Sequence, residues 1–235
     1  MALEFSSARR GAAVVEVVPA VCNRRLDASS ATEGDSTSAA RGGRVLGLAV
    51  AEGIVPGPFE LIESALRSAG VEREQVECIA VGLGPGSYTG IRSAIALAQG
   101  WQLALGVKLL GISTAEVLAS TAQAAGVAGR VTVVIDALRE EFYSASYEIT
   151  AGGWRETAPL RLLKREAVEA LAAAGEILLS PDGKCLPAGA KLVLPSAAEL
   201  GRLASLRDDF QPGEKLEPIY LRETSFVKAP APRFY

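Results

Sequence analysis

Glycines at 82, 84, 86 and 90 fall within Val81 to Arg92 (Val-Gly-Leu-Gly-Pro-Gly-Ser-Tyr-Thr-Gly-Ile-Arg), between an apolar run and an apolar-periodic stretch. Glycine at that density lets backbone approach a ligand or another backbone closely. One chemical use is an anion cradle, in which N–H groups of residues 84 to 90 near a helix start hold a phosphate. The other is a tight strand-to-helix turn that serves packing or a protein contact. The spacing favours the turn: Gly82-Leu83-Gly84-Pro85-Gly86-Ser87 puts serine where a dinucleotide loop has its last glycine, and no lysine follows closely to neutralise a phosphate. Arg92 could clamp a carboxylate or phosphate with its planar fork, or form an exposed ion pair. Glu4 and Asp136 each close an apolar strand, where carboxylates can face Mg²⁺; single acids there more often meet solvent or hydrogen-bond the hairpin backbone, and that reading is favoured. Ser87 and Thr89 have no base beside them and read as helix caps.

The chain has no histidine, which excludes Ser-His-Asp, Cys-His and His-ligated zinc or iron chemistry. A net charge of −3 gives no chain-wide basic footprint for phosphate backbones, although it leaves room for a local patch. Cys22, Cys78 and Cys185 are odd in number and widely spaced, so neither a disulfide framework nor a zinc site is indicated and a reducing cytoplasm is expected. The opening residues lack the order and length of a secretory signal, and no apolar run approaches the roughly 20 residues of a membrane span.

The elements that must position these groups follow from pattern. Met1 to Phe5, a turn over 6 to 11 and the valine-rich Ala12 to Val18 read as a hairpin. Residues 28 to 43 have almost no apolar bulk and are expected to be a mobile loop. The third strand is either Val21 to Leu26 or Arg44 to Ala51. A helix starts at Pro58 with Leu61, Ile62, Ala65 and Leu66 on one face and ends near Gly70. Cys78 to Leu83 reads as a buried parallel strand. Ile91, Ala94, Ile95, Ala98, Leu103 and Leu105 give the next helix, followed by a strand at Lys108 to Ile112. Ser113 and Glu116 then form a capping box, with the serine accepting from the third helical N–H. Strand, helix, strand, helix implies an α/β layer fold. Beyond Gly126 to Gly129, the run Val131 to Asp136, the turn through Arg139 and Glu141 to Ile149 repeat the opening plan, so two related domains are expected, 1 to 127 and 128 to 235. Phe142, Tyr143 and Tyr147 alternate in a strand. Helices at Arg165 to Ala174 and Ala197 to Leu206, strands near Ile177 to Leu179 and Lys191 to Leu194, and a proline-rich tail complete the chain.

Gly84-Pro85-Gly86-Ser87-Tyr88-Thr89-Gly90-Ile91-Arg92, continuing through Ala98-Gln99-Gly100, Leu105-Gly106 and Gly111-Ile112-Ser113, closely resembles the signature of the bacterial TsaB (YeaZ) family. Met1 to Ser7, Ile135-Asp136-Ala137 with Glu141-Phe142-Tyr143, and Glu217 to Arg222 resemble that family's other motifs, collinearly over nearly the whole chain. The resemblance implies a two-domain ASKHA fold (actin, sugar kinase, Hsp70; ribonuclease H-like), with mixed sheets flanked by helices. It also implies membership of the machinery that makes threonylcarbamoyladenosine in tRNA next to the anticodon, as the non-catalytic paralogue of TsaD. TsaD carries the metal, which it holds through histidines, and TsaE supplies an ATPase. Departures are Glu4-Phe5 where the family more often has Asp-Thr, no histidine before the helix at Pro58, and the insertion at 28 to 43.

The expected function is therefore a cytoplasmic scaffold with no cofactor of its own. It binds TsaD-type and TsaE-type partners and reaches tRNA through the complex, with ATP and metal on the partner subunits and a homodimer open to it when isolated. The loop residues Gly84, Pro85, Gly86, Ser87, Tyr88, Thr89, Gly90 and Arg92 are candidates for ligand or partner binding. Phe59, Ile62, Leu66 and Trp101 are candidate interface residues, although the same apolar faces could serve the protein's own core. The rival reading is an ATPase or phosphotransferase of the same fold, using Glu4 and Asp136 on Mg²⁺. A peptidase has neither histidine nor a metal cluster to work with.

Overall fold

The computed structural model describes residues 1–18, 42–53, 55–182 and 189–221. The opening hairpin consists of β1 (Ala2–Glu4) and β2 (Arg9–Val18), and the third strand is β3 (Gly42–Glu52). Of the two alternatives for that strand, the one beginning at Arg44 is thus realised; Val21 to Leu26 and most of the expected loop at 28 to 43 lie outside the described residues, while Gly42 and Gly43 belong to β3. Then follow α1 (Pro58–Ala69), β4 (Cys78–Gly82), α2 (Tyr88–Leu105), β5 (Lys108–Ile112) and α3 (Thr114–Ala124). The second half has β6 (Gly129–Asp136), β7 (Glu141–Thr150), β8 (Gly153–Lys164), α4 (Arg165–Ala173), β9 (Ile177–Ser180), β10 (Lys191–Leu192) and α5 (Ala197–Ser205).

The two five-stranded sheets have one topology. Their orders are β3-β2-β1-β4-β5 and, read from the other edge, β8-β7-β6-β9-β10. In each, three antiparallel strands are joined by two further strands that run parallel to the first of the three. The repeat of strand, basic turn and strand seen in the sequence is the visible part of this duplication.

Period-two alternation divides each strand between two cores. Leu3 and Phe5 join Ala12, Val14, Ile79 and Val81 in packing against Leu61, Ile62, Ala65 and Leu66 of α1 and Ile91, Ala94 and Ala98 of α2. On the opposite face Ala2, Ala13 and Ala80 meet Val117 of α3 and Ala197 and Leu200 of α5. The same α3 turns Ala115, Leu118 and Ala122 toward Val131, Val133, Tyr147 and Leu179 of the second sheet. Val168 of α4 covers the far face with Val134, Phe142 and Leu178. The layers run helices, sheet, helices, sheet, helix, with α3 shared. Among the described residues no helix is long and apolar enough to cross a membrane.

Local signals hold with two corrections. Ser113 caps α3, but its hydroxyl accepts from Ala115 N, the second helical N–H, at 3.2 Å; Glu116 reaches back to the Ser113 backbone as expected and also pairs with Arg207 across the fold. The strand β8 has no counterpart in the sequence reading. It is an edge strand carrying Arg155, Glu156, Arg161, Lys164 and Pro159, a composition that blunts edge pairing and hides the alternation a strand normally shows.

Candidate functional site

The glycine loop is pressed onto the end of β1. Ser87 N donates to Ser6 O at 2.6 Å, and Thr114 N donates to Gly84 O at 2.8 Å, so both neighbouring strands' exits grip the loop by main chain. A Cβ on Gly86 would come 2.1 Å from Ser6 O, and one on Gly90 would come 2.0 Å from Phe5 O. Only glycine permits that approach of backbone to backbone. Ser87 is the N-cap of α2, its hydroxyl accepting from Gly90 N at 3.3 Å, as the capping reading expects. Two of the N–H groups that an anion cradle would use, those of Ser87 and Gly90, are therefore engaged inside the protein.

The loop residues point three ways. Gly84 and Pro85 are buried, Ser87 and Thr89 face a cleft, and Tyr88 and Arg92 face outward. The cleft, about 520 Å³, lies between the C-terminal ends of β1 and β6; Ser6, Ser7, Arg10, Ser87 and Thr89 line one side, and Ile135, Asp136, Pro181 and Asp182 the other. Arg10, which the sequence reading did not single out, is fixed at its rim by donating from Nε to Gly53 O at 2.7 Å and from a terminal nitrogen to Pro56 O at 2.8 Å.

The two strand-end acids do different things. Glu4 is fully buried and does not line the cleft. Its Oε1 accepts from Ser6 N at 2.9 Å, its Oε2 has no partner, and a Cβ on Gly82 would lie 2.2 Å from that oxygen. Burial pushes this carboxyl above the usual carboxylate range, with the Ser6 hydrogen bonds opposing. Asp136 reaches the cleft, but its Oδ1 accepts from Leu138 N at 2.8 Å, the hairpin-backbone role favoured from sequence. That hairpin holds Leu138, Arg139 and Glu140 at φ of 62°, 58° and 61°, a run of left-handed residues without a glycine. Among the described residues no group of three or more His, Cys, Asp or Glu side chains is placed to hold a metal ion.

On the outer side, Arg92 forms no ion pair among the described residues. Its guanidinium lies 4.4 Å from the Tyr88 ring centroid, and Tyr88 stacks on Tyr220 with centroids 5.8 Å apart and planes 28° apart. The neighbouring Tyr220 hydroxyl raises the already high Arg92 pKa. Tyr220 is delivered by residues 211–221, which run back along the first sheet: Gln211 N donates to Leu109 O, Leu216 enters the first core and Ile219 N donates to Leu83 O. The motif Glu217 to Arg222 contains Tyr220, but nothing local in the sequence pairs it with Tyr88, because the stack joins residues more than a hundred positions apart.

The candidate interface residues separate by burial. Ile62 and Leu66 face the sheet at 1% and 4% exposure, so the expectation that they form an interface is corrected: they are core. Trp101 is half-buried against the same core. Phe59 is 65% exposed, and Leu103, one of the apolar residues whose spacing gives its helix, is 88% exposed.

A family model described as TsaD, tRNA N6-adenosine threonylcarbamoyltransferase, matches residues 59–190. The tRNA threonylcarbamoyladenosine biosynthesis protein TsaB of Escherichia coli (strain K12) is 29% identical over 186 residues, covering 69% of this chain and 78% of its own length. The protein of the same name from Haemophilus influenzae is 27% identical over 190 residues, with 72% and 80% covered. Among solved structures, YeaZ from Pseudomonas aeruginosa superimposes with a TM-score of 0.69 at 25% identity, covering 94% of this chain and 98% of that one. With a family model matched over more than half its length, relatives over most of it and a shared architecture throughout, the chain belongs to the TsaD-type family, on its TsaB (YeaZ) branch.

Proposed function

We propose that this chain works in tRNA threonylcarbamoyladenosine biosynthesis as a non-catalytic subunit that binds a TsaD-type partner and holds it in an active arrangement. In this reading a TsaE-type protein joins the same cytoplasmic assembly, tRNA is reached through the complex, and ATP and metal chemistry stay on the partner subunits.

The observation that carries the reading is the outward face of α2. Only one side of this 18-residue helix packs on the sheet, yet Arg92 is its single charged residue. Beyond Arg92, the exposed stripe Ala96, Gly100 and Leu103 carries no charge at all. A solvent-facing helix surface normally carries charges, whereas depletion of charged residues marks the core of a protein interface. Exposed Phe59 adds a second apolar side chain from α1. The same surface left uncovered would also support a homodimer of the isolated chain. The burial of Glu4 favours the non-catalytic side of the reading, because the acid that a Mg²⁺-dependent enzyme of this fold would use at the end of β1 is sealed away from the cleft.

The test is association with the TsaD-type protein of the same organism, followed by size exclusion with light scattering. A defined complex at micromolar concentration is expected, and its absence overturns the reading. So does a wild-type level of the tRNA modification after deletion of the gene. Calorimetry with Mg-ATP on the isolated chain covers the rival: micromolar affinity, with turnover abolished by Glu4→Ala, would place the chemistry here.

A further inference from the structure

Tyr88, Arg92 and Tyr220 form a cluster that the helix packing does not use. Tyr88 and Tyr220 are 58% and 44% exposed, so each ring keeps about half its surface in solvent while the two stack. The Arg92 guanidinium sits 4.4 Å from the Tyr88 centroid. Among the described residues no carboxylate forms an ion pair with it. Aromatic rings already stacked, beside a guanidinium that no acid among the described residues pairs with, offer a face for a flat π-system and a donor for an adjacent anion. An unpaired nucleotide presents both.

Charge in the flanking sequence points the same way. The residues that follow Leu221 are Arg-Glu-Thr-Ser-Phe-Val-Lys-Ala-Pro-Ala-Pro-Arg-Phe-Tyr, with Arg222, Lys228 and Arg233 against the single acid Glu223, and with Phe226, Phe234 and Tyr235 interspersed. In a chain of net charge −3, the stretch leaving this cluster is basic and aromatic. That composition complements RNA rather than an acid-poor apolar protein surface.

We propose that Tyr88, Arg92 and Tyr220 form a contact for single-stranded RNA, in which an unpaired base extends the tyrosine stack and Arg92 binds the adjoining phosphate. The contact belongs to this subunit, so the chain adds a hold of its own on the tRNA loop. The inference rests on the assembly described under Proposed function for the identity of the RNA, and on the cluster itself for the chemistry.

Fluorescence anisotropy with a labelled, unmodified anticodon stem-loop RNA tests it, using the full chain alone and together with its TsaD-type partner, with a fully paired RNA hairpin as control. Tyr220→Ala and Arg92→Gln should each weaken stem-loop binding roughly 5- to 100-fold. Tyr220→Phe, which keeps the ring, should bind like wild type, and the paired control should not respond to any variant. Arg92→Gln should also reduce the salt slope by about one. Light scattering on the same variants should show partner association intact, and thermal unfolding should show wild-type stability. RNA affinity unchanged in both weakening variants would overturn the proposal, as would loss of the partner with RNA binding retained, which would make the cluster a protein contact. If no complex forms at all, the assembly reading fails, and the measurement on the chain alone still decides the RNA contact.

Discussion

Two glycines of one helix should respond to the same substitution with opposite signs. By helix propensity alone, alanine replacing glycine stabilises by about 1 kcal/mol at an interior position. At Gly100 a Cβ meets nothing within 4 Å, so Gly100→Ala should collect most of that gain. At Gly90 the new Cβ would lie 2.0 Å from Phe5 O, far inside the 3.4 Å at which ordinary contact begins, and the obstacle is a strand backbone that cannot rotate away. Either α2 or the end of β1 must shift, and overpacking of this kind costs about 3 kcal/mol, well above the propensity gain. For a chain of this size each kcal/mol moves Tm by roughly 2–4 °C. Gly90→Ala should therefore lower Tm by roughly 4–8 °C, and Gly100→Ala should raise it by roughly 1–4 °C. Circular dichroism melts and urea titrations of both variants beside wild type are the assay. A Gly90→Ala protein as stable as wild type would refute the claim that the loop helix is pressed onto β1, and with it the packing account of the glycine signature.

Three further outcomes are expected. Because burial holds the Glu4 carboxyl above its ordinary 4.5, the folded state keeps a proton that the unfolded chain releases; the resulting stability is fully present below pH 4.5 and is lost as pH rises through the folded value. Glu4→Gln cannot ionise, so its urea midpoint should match wild type in acid and exceed it at neutral pH, whereas parallel curves at all pH values would contradict the assignment. Arg139→Gly places the residue suited to φ 58° in the strained hairpin and should stabilise by about 1 kcal/mol by chemical denaturation, with no gain indicating an unstrained turn. Leu103→Glu, at an 88% exposed position, should change stability by no more than about 0.5 kcal/mol while weakening association with the TsaD-type partner more than tenfold by light scattering; undiminished association would remove α2 from the interface.

What the sequence discloses is what local physics determines. Pro58 and Gly70 bracket α1, Gly106 closes α2, and the valine-rich run Ala12 to Val18 marks β2, because propensity and capping speak plainly at those places. The duplicated plan is readable at its first hairpin, where acid, basic turn and apolar strands recur. Elsewhere one signal has two sources. The apolar residues of α2 run round the helix, so periodicity cannot tell Ile91, which is buried, from Leu103, which is not. Ile62 and Leu66 have the opposite problem, since a strong apolar face serves a core and an interface equally well until the sheet beneath it is known. The catalytic question turned on Glu4, whose distance from the cleft depends on Gly82 in another strand. The Tyr88–Tyr220 stack depends on a return of the chain that no window of sequence contains.

That return has a consequence for how the protein is made. The first sheet is encoded early, yet one of its faces is completed by Ala197 and Leu200 of α5, and its other core by Leu216. A nascent chain that has cleared the ribosome as far as the second sheet has α3 on the face of Ala2, Ala13 and Ala80 but still lacks the cover of α5. Its two halves cannot mature one after the other, even though they share a plan. A stretch some two hundred residues along the chain seals the first sheet to form, so folding should reach its cooperative end only once α5 and residues 211–221 have emerged.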